Sequence, residues 1–376
     1  MNMKRKIKAA AAVILSAAIA VSLSGCASRN NNGAKTVGIA MPAKSLERWN
    51  RDGEYLKRMF EEQGYNVELR YSDNNIYQQV NDLQVLIADD VDLLIIAAVD
   101  GGAMFRTLED AEIKHIPVIA YDRLIMNTDA VDCYVSFDNF SVGRFQGQYL
   151  VDSLRPDDSD AAYNIEIVSG DPADNNAVFF YNGCMDVIQP YIDSGKFIVP
   201  SGKTSFTQTA TLRWLTDTAL ENMQNTLASY YSSGTRLDGV VCAADCLSIG
   251  VVQAILSDYN GGNIPVVVGQ DGDIAALRHI VDGNQSMTIY KNANDEADVT
   301  LSIAKAILEG RELDESLTDE FSAECIFDTE SYDNGSKKVT SYLLVPEVIT
   351  ADNLDYLAET GAYVWDDEHK YLESAS

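Results

Sequence analysis

The sequence has 376 residues, with 57 Asp and Glu against 28 Lys and Arg, a formal charge of -29 at pH 7, and 46% hydrophobic residues. Such a charge repels nucleic acid phosphates and anionic lipid headgroups, which excludes a binder of either that works by charge attraction. The length exceeds what one hydrophobic core usually supports, so two lobes are expected.

The chain opens Met1-Asn2-Met3-Lys4-Arg5-Lys6-Ile7-Lys8, continues with an apolar run from Ala9 to Leu23, and reaches Leu23-Ser24-Gly25-Cys26. A basic start, a short apolar stretch and small residues before a cysteine read as a leader with a lipidation signal, residues 1–25. The apolar run is short for a membrane span, and Ser28 to Gly33, with three consecutive asparagines, is polar. Cys26 is therefore the expected acyl attachment point, and residues 26–35 a flexible tether outside the cytoplasm. The leader holds four basic and no acidic side chains, so the remainder is more acidic still.

From Thr36 onward, short β-branched runs alternate with amphipathic stretches, the pattern of parallel strands with crossover helices. A strand at 36–41 precedes a helix through Tyr55 and Phe60 to Gly64, then a strand at 67–72. Ile76, Val80, Leu83 and Ile87 share one helical face, their spacings of four, three and four fitting a 3.6-residue period. Strands at 92–99 and 117–122 follow, the second introduced by Pro117. The alternation resumes with strands at 164–170, 196–200, 237–244 and 265–271, separated by helices at 175–192, 211–231 and 247–258. The acidic stretch 312–336 reads as a loop and 342–349 as a last strand. The fold class is α/β, two doubly wound parallel-sheet lobes.

Ligands in such sheets bind beyond the carboxyl ends of the strands. Asp122-Arg123 ends the run Val118-Ile119-Ala120-Tyr121, and Asp138-Asn139 ends Tyr134-Val135-Ser136-Phe137. Asp245 and Asp271 end two further runs. A carboxylate accepts from two adjacent hydroxyls and a guanidinium donates two parallel bonds, a combination that suits a polyol. Taken singly, each is explained as a surface ion pair or helix cap; four strand-terminal aspartates together point to a site. Asn175 and Asn176 open a helix and read singly as cap residues, but beside the aspartates they become candidate ligands. Lys291 ends Met287-Thr288-Ile289-Tyr290. Trp49 and Trp214 stand close by as platforms for the apolar C–H face of a sugar ring; Trp365 reads as packing.

Six cysteines stand at 26, 133, 184, 242, 246 and 325, with no zinc or CxxC spacing. Cys133, Cys184 and Cys242 read as small core residues, and disulfide pairing is left open. No GxSxG elbow occurs, and His115, His279 and His369 lie away from the strand-end residues, so a nucleophile lacks a base. Gly202-Lys203-Thr204 is not a phosphate loop, because the upstream glycine position holds Phe197. Arg, Lys and Asn partners are expected to keep the site aspartates ionised, against the proton-holding acid of a glycosidase. No enzyme activity, cofactor or metal site is expected, and no carboxylate loop has calcium-binding spacing.

At Val37-Gly38-Ile39-Ala40-Met41, Glu47-Arg48-Trp49, Ala120-Tyr121-Asp122-Arg123, Ser136-Phe137-Asp138-Asn139, Asp174-Asn175-Asn176-Ala177, Gly269-Gln270-Asp271 and Tyr290-Lys291 the chain resembles bacterial type I periplasmic sugar-binding proteins, the D-xylose and multiple-monosaccharide branch. The resemblance spans nearly the whole chain after the leader. It implies a three-segment hinge, an N-terminal lobe of 36–138 plus 290–325, and a C-terminal lobe of 139–289 plus 326–376. It places Arg48, Asp122 and Arg123 in the first lobe, Asp138, Asn176, Asp245 and Asp271 in the second or the hinge, and Lys291 at a crossing. Trp49 and Trp214 would stack on or wall the ring. The implied ligand is a monosaccharide such as xylose, arabinose, galactose or glucose, captured by a monomer and delivered to an ABC permease, or presented to a two-component or chemotaxis receptor. Gly272 and Asp245 depart from the family pattern, which leaves the sugar open, and the stretch from Glu312 looks expanded.

Overall fold

Apolar side chains at successive positions of one strand need a core on each side of the sheet, because neighbours along an extended backbone point to opposite faces. The computed structural model, which describes residues 33–158 and 160–375, has this arrangement. The leader and Cys26 lie outside the described residues. Strand β1 (Thr36–Met41) is followed by β2 (Asn66–Tyr71), β3 (Leu93–Ile96), β4 (Val118–Tyr121) and β5 (Val131–Phe137). Val37, Ile39 and Met41 pack on one face with Leu56 and Phe60, while Ala40, Leu94 and Ile96 pack on the other with Leu83 and Leu86. Burying each such Leu or Ile contributes roughly 1.5–3 kcal/mol.

The second lobe repeats the plan with β6 (Tyr163–Val168), β7 (Phe197–Ile198), β8 (Gly239–Cys242), β9 (Val266–Gln270) and β10 (Met287–Tyr290). The chain then adds β11 (Cys325–Asp328), β12 (Ser341–Leu344) and β13 (Glu347–Ile349), and ends in the hairpin β14 (Tyr363–Trp365) and β15 (Leu372–Ser374). The first sheet has the order β11-β12-β5-β4-β3-β1-β2 and the second β13-β10-β9-β8-β6-β7. Within each sheet only the edge strands β11 and β13 run antiparallel. The chain therefore crosses between lobes three times, at residues 137–139, 290–293 and 344–347.

Four expectations are corrected. Residues 342–349 are two strands in two different sheets, because Pro346 has no N–H to continue a ladder and the chain turns there. Residues 325–344 thus belong to the first sheet, not to the C-terminal lobe as 326–376 implied. The acidic stretch contains a short 3-10 helix, Glu315–Glu320, and β11, an edge strand whose acidic surroundings suit an unpaired border. The helix expected at 211–231 is a 3-10 turn, Leu212–Trp214, a helix Thr216–Thr226 and a wide final turn Leu227–Tyr231, since Arg213 and Trp214 take positive φ of 59° and 55°.

Candidate ligand-binding cleft

Helix Glu47–Glu62 follows β1 and aims its first turn at the carboxyl ends of both sheets. Arg48, 6% exposed, is the hub. Its guanidinium donates to Asp122, to Asp271 Oδ1 at 3.2 Å, to Glu296 Oε2 at 3.2 Å and to Asp52 Oδ2 at 3.3 Å. Lys291 Nζ lies 3.1 Å from Asp271 Oδ1 and 3.7 Å from Asp122 Oδ2. Arg123 Nε lies 2.9 Å from Asp174 Oδ2 and its Nη1 donates to the Ala98 carbonyl at 3.0 Å. The Trp49 ring has the guanidinium carbons of Arg48 and Arg123 each 4.9 Å from its centroid. These contacts join the lobes, so the cleft is closed.

The two central aspartates share a backbone feature. Asp122 has φ of 56° and Asp271 of 102°, a region that costs a residue with a Cβ about 1–3 kcal/mol and so marks positions held by their surroundings. The Asp122 carbonyl accepts from Asn176 Nδ2 at 2.6 Å, Tyr134 Oη at 2.7 Å and Ser136 Oγ at 3.0 Å. Burial alone would raise the Asp122 carboxyl, yet Arg48, Lys291 and Arg123 bring it below the usual carboxylate range. Beneath it, burial raises Glu296 and Asp52, with Asp122 adding to the rise and Arg48 opposing it.

Arg48, Trp49, Asp122, Arg123, Asn176, Trp214, Asp271 and Lys291 surround one cavity between the lobes. Asp138, Asn139, Asn175 and Asp245 do not line it. Asp138 caps helix Asn139–Leu154, accepting from the Ser141 N–H at 3.1 Å. Asn139 donates to Tyr134 Oη and Ser136 Oγ, which steadies the groups around the Asp122 carbonyl. Asn175 sits at the start of its helix beside Gly101. Asp245 is fully buried and accepts from the Gly272 and Asp273 N–H groups at 2.9 and 3.1 Å, from Gln285 and from Thr288. It holds the turn that carries Asp271.

The cavity also takes Glu47, Asp174, Phe180, Cys246, Gln270 and Asp273, none of them among the residues expected to contact a ligand. Gln270 and Asp273 flank a strand-end aspartate, and Phe180 is one helical turn beyond Asn176, so position alone offered a signal for these three. The expectation that the site aspartates stay ionised fails at Asp245, which burial and the neighbouring Asp273 raise well above the usual carboxylate range, and two further carboxyls, which line the cavity, depart in the same way. Burial raises Asp174 despite Arg123, and burial with Asp271 and Glu47 pushes Asp273 up to about 7. The five described cysteines are free thiols, and Cys133, Cys184 and Cys242 are buried. Among the described residues no group of His, Cys, Asp and Glu is arranged to hold a metal ion, and no helix is long and apolar enough to cross a membrane.

A cleft between two parallel-sheet lobes joined by three crossings is a known design for enclosing small molecules, and residues 37–312 match the family described as periplasmic binding protein domain. The chain belongs to that family. It is 40% identical over 332 residues to the multiple sugar-binding periplasmic protein SbpA of Azospirillum brasilense, covering 87% of this chain and 89% of that one. It is 31% identical over 318 residues to the D-xylose-binding periplasmic protein of Escherichia coli, covering 85% and 87%. A solved ABC transporter solute-binding protein from Clostridium phytofermentans with bound β-D-glucose is 41% identical and superposes with a TM-score of 0.83, over 89% of this chain and 99% of that one. The fold is the type I periplasmic binding protein fold, and the similarity lies in the multiple-monosaccharide and xylose branch.

Proposed function

We propose that this protein is an extracytoplasmic receptor that closes on one free monosaccharide and delivers it to an ABC permease, without catalysing a reaction on it. The observation that carries the reading is the division of the cavity's charged groups between lobes. Arg48, Asp122 and Arg123 come from the first lobe, Asn176, Trp214 and Asp271 from the second, and Lys291 from a crossing. A sugar engages both sets only when the lobes are together, so its hydrogen bonds stabilise closure. Asp122, ionised and bordered by cations, accepts from hydroxyls; Arg123, Lys291 and Asn176 donate to hydroxyl or ring oxygens. Trp49 and Trp214 supply aromatic walls for the C–H faces. Acylation at Cys26 would keep the receptor close to its permease, with residues 26–35 as the tether. The sugar-binding relatives support the ligand class.

Calorimetry of the full-length protein in detergent against D-xylose, L-arabinose, D-galactose and D-glucose tests the reading. At least one sugar is expected to bind with a micromolar or tighter dissociation constant. Absence of heat with all of them would overturn it.

A further inference from the structure

Among the described residues, the second lobe's side of the cavity keeps three buried hydrogen-bonding atoms without a protein partner: Trp214 Nε1, Gln270 Oε1 and Asp273 Oδ1. All three residues line the cavity, at 6%, 1% and 9% exposure. Thirteen such atoms occur among the described residues; these three share one wall of a cavity, where a partner that enters it can pair them.

Each of the three is also held from behind. The Trp214 ring lies against Gly170 so closely that a Cβ there would stand 1.9 Å from Cη2. Gln270 is the last residue of β9, in register with Ile289 of β10. Asp273 is fixed through its backbone N–H, which donates to Asp245 Oδ2 at 3.1 Å. Asp273 occupies the N-cap of helix Ile274–Val281, where an aspartate ordinarily spends its carboxyl on the helix N–H groups, yet it makes no such bond. Glu47 of the first lobe accepts from the Ile274 N–H instead, at 3.3 Å. The Asp273 carboxyl is thereby released to the cavity.

One donor and two acceptors complement hydroxyl groups, which donate and accept at once. Glu47, Asp271 and Asp273 crowd this end, which disfavours a carboxylate or phosphate there. Resting on the sugar-receptor reading above, we infer that Gln270 and Asp273, with the Trp214 indole N–H, form a hydroxyl-reading subsite on the second lobe that decides which epimer or deoxy sugar the cleft holds. The burial and acidic neighbours that push Asp273 to about 7 let it donate as well as accept near neutral pH.

The test is a cycle of protein variants against deoxy sugars, read by calorimetry on full-length protein in detergent. Wild type, Gln270→Met and Asp273→Leu are titrated with D-glucose and each monodeoxy-D-glucose, after thermal melts show that both variants fold. If another aldose of the panel binds in place of glucose, its deoxy series is used. Each variant is expected to bind the parent sugar roughly tenfold more weakly, and to bind the one analogue lacking its hydroxyl within about twofold of wild type. Equal losses on every analogue, or no loss on the parent, would overturn the subsite. A wild-type protein that binds no aldose would instead remove the receptor reading itself, a separate and recognisable result.

Discussion

The two walls of the cleft are built on different principles. On the first lobe, Arg48, Asp122, Arg123 and Trp49 hold one another, and their charges remain matched through Asp52, Glu296 and the Ala98 carbonyl. On the second lobe, Trp214, Gln270 and Asp273 are anchored by backbone and packing while their polar tips are left unpaired. In the proposed receptor, the first wall, whose charged groups are already paired with one another, would serve any polyol. The second, in the same proposal, would wait for particular hydroxyls, and a site with unmet buried groups discriminates strongly among analogues.

Substitutions on each wall sharpen this contrast. Asp122→Ala removes a carboxylate shared by Arg48 and Lys291, and is expected to weaken binding of every sugar on the order of 100-fold or more by calorimetry, with the circular dichroism spectrum retained. Loss confined to one sugar would erase the distinction between the walls. Gly170→Ala displaces the Trp214 ring; roughly tenfold weaker binding and a destabilisation of about 1–3 kcal/mol in denaturant melts are expected.

Asp273→Asn speaks to pH. A carboxyl raised to about 7 in the folded state binds more protons there than when unfolded, so stability falls as pH rises from about 4 toward 7. The asparagine removes that fall: the variant is expected to melt a few degrees above wild type at pH 8 and at nearly the same temperature at pH 4. The reverse order would mean that a partner keeps Asp273 ionised. Asp138→Ala has the smallest effect, a stability loss of about 1 kcal/mol from the missing helix cap, with sugar affinity within about twofold of wild type. A large affinity loss would return Asp138 to the cleft.

The parallel-sheet architecture was legible because runs such as Val37 to Met41 and Leu93 to Ile96 are apolar at successive positions, a signature that only a doubly covered strand requires. The split at Pro346 was written in the sequence, but which sheet receives each half depends on pairing with β5 and β10, some 200 and 60 residues away. The site divided in the same way. Strand-end position located Asp122 and Asp271, yet the same position misled at Asp245, whose carboxylate turns inward to Gln285 and Thr288 about 40 residues later. Asn139 likewise meets Tyr134 and Ser136 on the strand just before it. Direction of a side chain is settled by its distant partners, and spacing along one segment does not carry that information.

The three crossings at 137–139, 290–293 and 344–347 also impose a schedule on biogenesis. β5 stands ready early in synthesis, but its parallel neighbour β12 emerges some 200 residues later, and the second sheet receives β13 last. Neither lobe completes its sheet until nearly the whole polypeptide has been delivered, so the nascent chain carries β5 and β10 as open edges until then. Exposed edges invite pairing with other chains. Under the extracytoplasmic reading proposed above, that delay would keep the polypeptide threadable until it has crossed the membrane.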